Sequence, residues 1–200
     1  AAEIGAEAVQ VFVANPRGWA LPEGKPAEDA LMREQEIPVY VHTSYLVNVG
    51  SPTSGTLTKS IASIRHSLQR GHAIGAKGVV VHTGSSVTQT YEAALDQVRE
   101  HVLPLLDEIP EDGPDLLLEP MAGQNNMLCA KVQELGPFFE RLENHPKLGV
   151  CFDTCHAFAA GHDLSTPGGV TETIDALVET VGEGRLRLIH ANDSKDPCGS

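Results

Sequence analysis

Residues 115–120, DLLLEP, place three consecutive leucines directly before a carboxylate, Glu119. Runs of this kind are apolar throughout instead of alternating, which is typical of parallel strands buried on both faces. The same pattern recurs along the chain and predicts six parallel strands, at Val9–Ala14, Pro38–Thr43, Gly78–Gly84, Asp115–Pro120, Leu148–Thr154 and Leu186–Asn192.

Between these runs, apolar residues recur at intervals of three and four, the spacing of one buried stripe on an α-helix. The stripes predict helices near Leu57–Leu68, Tyr91–Leu105, Val132–Leu142 and Val170–Val181, with a less regular one near Ala27–Glu36. Strands and helices that alternate in this way form right-handed βαβ units. Such units build either an open doubly wound sheet or a closed barrel. No GxGxxG motif follows a strand, so dinucleotide binding has no support.

The composition of the 200-residue chain is that of a globular domain, with 41% hydrophobic residues. No apolar run reaches the about 18 residues that would predict a membrane span. The cysteines form no CxxC pair, and a buried reduced thiol is expected for Cys151, so a cytoplasmic compartment is predicted. The net charge of −13 argues against a nucleic-acid partner unless bound cations or clustered basic residues offset it.

Five consecutive predicted strands each end in a side chain that commonly binds metal ions. A single histidine or carboxylate at a strand end is more often structural. The carboxyl ends of barrel strands converge on one mouth, however, and unrelated charges gathered there would be poorly solvated. The pattern therefore predicts one shared site, made of His42, His82, Glu119, Asp153 with His156 three residues later, and His190.

Imidazole and carboxylate together suit zinc or a similar divalent ion. No thiolates converge in the sequence, so a structural Cys₄ site is not expected. The ligands outnumber what one tetrahedral ion needs, and a carboxylate such as Glu119 can bridge two ions. Sites of that kind stabilise the attacking and leaving oxygens of a phosphoryl displacement, which indicates a multinuclear hydrolytic centre.

The ordered motifs resemble those of the endonuclease IV (deoxyribonuclease IV) family of apurinic/apyrimidinic endonucleases. The similarity extends over nearly the whole chain, and DTCHAFAAG at residues 153–161 is its most specific part. The other matching segments are VF at 11–12 with NPRGW at 15–19, HTSYLVN at 42–48, HTGS at 82–85, Glu119 with AGQ at 122–124, and His190 with NDS at 192–194.

The resemblance implies a single α/β domain over residues 1–200, a (β/α)₈ TIM-type barrel that lacks its first and last strands here. It also implies three zinc ions. His42, His82 and Glu119 would hold one ion, Glu119 would bridge to a second ion bound by Asp153 and His190, and His156 would bind the third. Glu119 is thereby the expected catalytic residue. Further ligands would come from sequence beyond Ser200, so the barrel is expected to be incomplete at both ends.

The resemblance also implies a substrate and a reaction. The family cuts DNA on the 5′ side of abasic sites and leaves a 3′-hydroxyl and a 5′-deoxyribose phosphate. Double-stranded DNA with an abasic site is the expected partner, and a monomer is expected for the full-length protein. Arg17, Tyr45 and Leu46 match residues that wedge into the duplex when the damaged nucleotide is flipped out.

Three positions depart from the family pattern without removing a ligand. Thr83 stands where the family usually has proline, Thr43-Ser44 where it often has Ala-Pro, and Pro120-Met121 where it usually has Asn-Thr. Each departure lies beside the expected mouth, so the mouth is expected to be reshaped.

Two alternatives remain open. A metal-dependent sugar isomerase of the xylose isomerase-like barrels shares the fold and a Glu-Asp-His site, but it has no need of Arg17-Gly18-Trp19 or of Tyr45. A non-catalytic DNA-binding relative would keep those residues and lack activity. The number of bound metal ions distinguishes the isomerase from the nuclease.

Overall fold

The computed structural model describes residues 2–124 and 126–200, and at its centre lies a sheet of six parallel strands. Ala1 and Asn125, which belong to the predicted domain, lie outside the described residues. The strands are β1 (Val9–Val11), β2 (Val39–His42), β3 (Gly78–His82), β4 (Asp115–Glu119), β5 (Leu148–Asp153) and β6 (Leu186–His190).

The strands follow one another in the sheet in the order of the chain, from β1 to β6. A doubly wound sheet reverses its strand order at a switch point, and no reversal occurs among the described strands. The sequential parallel order, with helices between successive strands, is that of a TIM-type barrel, so the predicted fold class is confirmed.

Six helices connect or cover the strands: α1 (Pro26–Arg33), α2 (Ser54–Ala73), α3 (Tyr91–Asp107), α4 (Leu135–Arg141), α5 (Thr154–Ala159) and α6 (Gly169–Val181). The predicted helices are confirmed with small shifts at their ends, except that the one near Val132–Leu142 divides into a 3-10 turn (Val132–Glu134) and α4. The short helix α5 was not predicted. None of the helices in the described parts of the chain has the length and apolar character needed to span a membrane.

Two apolar cores lie on opposite faces of the sheet. The larger core packs the helices against the outward side chains of the strands, such as Val79, Val81 and Leu116. The smaller core lies on the inner face and contains Val80, Leu117 and Cys151, with Tyr40 and Leu188 against them. Alternation along each strand separates the two sets, because successive side chains point to opposite faces.

The middle strands are buried, whereas β1 and β6, at the two edges of the described sheet, are only partly so. The register between β5 and β6 shifts at Val150 and Cys151, because Val150 pairs with Leu186 and Cys151 with Leu188. Arg187 therefore lies opposite no residue of β5 in the pairing of the strands. Bulges of this kind often lie beside functional sites. Beyond the shift, Asp153 pairs with His190, just as His82 pairs with Glu119 on β3 and β4.

Candidate metal centre

Each member of the inner core lies two residues before one of the predicted ligands. Since side chains two residues apart on a strand share a face, the ligands form the next layer above the inner core. The pairs are Tyr40 and His42, Val80 and His82, Leu117 and Glu119, Cys151 and Asp153, and Leu188 and His190. The sequence prediction that these side chains meet at one mouth agrees with this arrangement, and they line an open cavity of about 540 Å³.

Glu119 is the centre of the cluster, and only 1% of its surface is exposed. Its Oε2 atom lies 3.2 Å from His42 Nε2 and 3.5 Å from His82 Nε2. Its Oε1 atom lies 3.1 Å from His190 Nδ1 and 3.4 Å from His156 Nδ1. The two carboxylate oxygens therefore face different groups of imidazoles.

The contact between His42 and Glu119 requires a proton or a cation between the two side chains. Its Nδ1 donates to the carbonyl oxygen of Thr43 at 2.8 Å, so in the neutral ring Nε2 carries a lone pair. That lone pair faces the Glu119 carboxylate at 3.2 Å. Two electron-rich atoms this close need a second proton on the ring or a metal ion nearby.

Asp153 joins the strand ligands to helix α5. Its Oδ1 accepts a hydrogen bond from the main-chain N–H of His156 at 2.9 Å, which caps the first turn of α5. Its Oδ2 lies 3.7 Å from His190 Nδ1 and accepts from the Asn192 amide at 2.5 Å. Because α5 begins directly after Asp153, His156 is held beside the two carboxylates.

The ionisation of the cluster suits metal binding. Burial lowers the pKa of His82 to about 4, so this imidazole is neutral near pH 7. Burial alone would raise the pKa of Glu119, but hydrogen bonds with His190 and His42 outweigh it and hold that pKa well below its usual range. The pKa of Asp153 is lowered as well, because the nearby His190 imidazole and the main-chain N–H of His156 outweigh the effect of burial.

His190 has the opposite ionisation. The adjacent Asp153 carboxylate and Cys151 sulfur, together with the hydrogen bond to Glu119, raise its pKa to about 12, so it carries a proton near neutral pH. The cluster thus stabilises a positive charge at this position. Three combinations of side chains place ligand atoms within 4.8 Å of one another, and all contain Glu119: with His42 and His82, with Asp153 and His156, and with Cys151 and His190.

The third combination adds a side chain that the sequence analysis did not place at the site. Cys151 is a buried free thiol, as predicted, but its sulfur lies beside Glu119 and His190 because residues 151 and 153 share the inner face of β5. Burial raises the pKa of Cys151 to about 11, so it stays a neutral thiol near pH 7.

Two polar contacts of the site were not predicted. The amide of Asn192 binds Asp153, and Gln10 Oε1 lies 2.8 Å from His190 Nε2. Asn192 belongs to a matched motif, so a role could have been suspected from the sequence. The only signal for Gln10 is a polar residue between the apolar Val9 and Val11 of β1.

The predicted DNA-contacting residues lie beside the cavity on two adjoining loops. Tyr45 N donates to the Pro16 carbonyl at 2.9 Å, which ties the loop after β2 to the turn that carries Arg17. The Tyr45 side chain is half-exposed and its ring stacks on His82, with 5.8 Å between centroids. Arg17 and Leu46 are exposed as well. Their contact with DNA stays a prediction.

The departures from the family pattern take part in local hydrogen bonds. The Thr83 hydroxyl donates to the Cys129 carbonyl at 3.1 Å, which links the end of β3 to the loop after β4. The Ser44 hydroxyl donates to the Pro16 carbonyl at 3.1 Å. The Pro120 carbonyl accepts from His156 Nδ1 at 3.1 Å, a contact that needs no particular side chain at position 120.

Comparisons with known proteins give a consistent result. The xylose isomerase-like TIM barrel family matches residues 1–200. A Streptomyces coelicolor protein named "Probable endonuclease 4" is 61% identical over all of this chain, which covers 70% of that protein. A protein of the same name from Halothermothrix orenii is 36% identical, with 98% of this chain and 72% of that protein covered.

Solved structures agree with the sequence comparisons. Endonuclease IV from Thermus thermophilus is 34% identical, with a TM-score of 0.84, and the match covers 99% of this chain and 71% of that one. A D-tagatose 3-epimerase-like protein has a TM-score of 0.72 over 96% of this chain, but at 19% identity it indicates a shared fold alone.

Proposed function

This chain belongs to the endonuclease 4 family of the xylose isomerase-like TIM barrels, a family of DNA-repair endonucleases, and we propose that it cuts DNA 5′ to abasic sites with zinc ions bound at the Glu119 cluster. The products would be a 3′-hydroxyl and a 5′-deoxyribose phosphate. The observation that carries the proposal is the position of Glu119, whose two oxygens face separate groups of imidazoles.

The donor set fits zinc. Imidazole nitrogens and carboxylate oxygens are the ligands that zinc takes at hydrolytic sites. One ion would be held by His42, His82 and Glu119, and a second by Glu119, Asp153 and His190. His156 would contribute to a third. Ions bound in this way supply positive charge that stabilises the phosphate and the departing 3′ oxygen.

The protein side chains would prepare the substrate for this chemistry. Tyr45 and Leu46 are exposed beside the mouth, where they can fill the gap left by a flipped nucleotide, and flipping costs least where no base is present. Arg17 on the adjoining turn can contact the phosphate backbone. The rings of Phe12 and Tyr45 pack on His42, so they shield the ligand layer from bulk water.

The distribution of basic residues answers the objection from net charge. Nine of the fourteen lysines and arginines bind carboxylates or main-chain carbonyls through their side chains, for example Arg65 with Glu108 and Arg70 with Asp29. In the described parts of the chain, five make no such bond: Arg17, Lys59, Lys77, Lys131 and Lys195. All but Lys77 lie in segments that follow a strand, on the side of the metal ligands, where they can attract a polyanion.

A sugar isomerase is the second candidate, because epimerases and isomerases share the fold. The pair formed by His42 and His82, together with His156 on α5, favours more ions than an isomerase needs. Zinc stoichiometry of the purified protein, measured after equilibrium dialysis, separates the two. Three ions per full-length chain support the nuclease, and one or two ions support the isomerase.

We also propose a cytoplasmic location, which the four free cysteines support because thiols persist in reducing compartments. A monomeric state for the full-length protein, and a single domain incomplete at both ends of these 200 residues, stay predictions. The chain spans 70% of the length of the Streptomyces coelicolor relative.

A further inference from the structure

The ligand histidines differ in how their second ring nitrogen is held. His42 Nδ1 donates to the Thr43 carbonyl at 2.8 Å, and His156 Nδ1 to the Pro120 carbonyl at 3.1 Å. His190 instead uses a side chain, since its Nε2 lies 2.8 Å from Gln10 Oε1. Of these three contacts, only the last depends on the identity of a side chain outside the ligand set.

Gln10 reaches the cluster from the opposite edge of the sheet. It lies in the middle of β1 and pairs in register with Tyr40, in the layer below the ligands. Its side chain lines the cavity and extends to His190 on β6. Gln10 on β1 thus contacts His190 on β6, although these strands lie at opposite edges of the described sheet. The sheet must curve for the two side chains to meet.

The chemistry of imidazole gives this contact a consequence. His190 Nδ1 faces Glu119 Oε1 and Asp153 Oδ2, so it is the nitrogen placed to bind a metal ion and it must then be free of a proton. The remaining proton must sit on Nε2, where it needs an acceptor. The oxygen of Gln10 is such an acceptor at hydrogen-bond distance.

We propose that Gln10 is a positioning residue for His190. By accepting the Nε2 proton it selects the tautomer whose Nδ1 can bind a metal ion, and it fixes the ring toward Glu119 and Asp153. Loss of an outer hydrogen bond of this kind usually weakens metal binding about 10- to 100-fold. The effect is expected at the ion held by His190, because in the described parts of the chain the only side-chain hydrogen bond of Gln10 is to His190. The inference rests on the proposed metal function.

Substitution of Gln10 with residues of equal length tests the proposal. Gln10→Met keeps the size of the side chain and removes the acceptor, whereas Gln10→Glu keeps an acceptor oxygen in place. Gln69→Met, at an exposed position on α2 away from the mouth, is the matched control. Zinc affinity is measured by competition with a chromophoric chelator. The protonation of His190 is read from its ¹⁵N chemical shifts with and without zinc.

The expected result is that Gln10→Met weakens one zinc site about 10- to 100-fold, leaves the others unchanged and shifts the His190 nitrogen signals. Gln10→Glu and Gln69→Met should resemble the parent. Equal losses in Gln10→Met and Gln10→Glu would indicate a packing role and overturn the proposal, as would parent affinity and parent ¹⁵N shifts in Gln10→Met. A parent protein that takes up no zinc would instead refute the metal function itself, which is a different result.

Discussion

Replacing Glu119 with glutamine should damage the enzyme more than any other single change among its ligands. The substitution preserves the shape of a fully buried side chain and removes its charge. An amide offers one oxygen, so it can serve the His42–His82 side or the His190 side of the cluster but not both. The NH₂ group of the glutamine would then face the imidazole nitrogens on the other side, where a bound cation would need a carboxylate oxygen as ligand.

The size of the effect can be worked out from the two groups of imidazoles that the carboxylate oxygens face. If each side loses as much as an outer hydrogen bond usually contributes, about 10- to 100-fold, the two losses multiply to about 10²- to 10⁴-fold. At about 1.4 kcal/mol for each factor of ten, this is about 3–6 kcal/mol of transition-state stabilisation. Two neighbouring cations would also repel each other more strongly without the bridging charge.

The assay is cleavage of a duplex with one abasic site, together with zinc content and thermal melting of the same preparation. Asp115→Asn is the matched control, because it removes one negative charge from the opposite end of the same strand, where Asp115 pairs with Arg187. The control should keep activity and zinc. A folded Glu119→Gln protein that cuts at near the parent rate with full zinc content would refute the bridging role.

Further predictions concern the role of Tyr45 in DNA binding and the protons released when zinc binds. Tyr45→Ala should weaken binding of abasic duplex by about 1–3 kcal/mol and leave the zinc content unchanged. Leu31→Ala, at an exposed position on α1, is the control and should change neither property. Loss of zinc with unchanged DNA affinity would contradict the proposed insertion of Tyr45 into the duplex. Zinc uptake near neutral pH should release at least one proton from the cluster, because His190 is protonated there, and affinity should fall as pH is lowered. Calorimetry in buffers of different ionisation enthalpy measures this release, and a value of zero would contradict the assigned state of His190.

The sequence predicted the strands well because each buried strand is a continuous apolar run with a polar end. The ends differ by three residues or fewer, and β1 is the largest departure, since the chain leaves the sheet after Val11 and forms the turn of Asn15 to Gly18. The convergence of the candidate ligands could be predicted for the same reason. Parallel strands bring their carboxyl ends together, so no long-range information was needed.

The features that were missed depend on register and on contacts between distant strands. The approach of Cys151 to the cluster follows from its sharing a face with Asp153, but the apolar run around it hides which face that is. The contact of Gln10 with His190 joins the two edges of the sheet, which no local pattern reveals. Helix α5 is too short for an apolar stripe, and its start is set by the capping hydrogen bond from Asp153.

Cleavage of a DNA duplex that carries one synthetic abasic site, with and without a chelator, tests the central claim most directly. The account predicts one cut on the 5′ side of the site with a 3′-hydroxyl product, loss of cleavage after chelation, and recovery when zinc is restored. A matched duplex without the lesion should stay intact. Cleavage that persists in the chelated protein, or the absence of cleavage by the zinc-loaded full-length protein, would contradict the account.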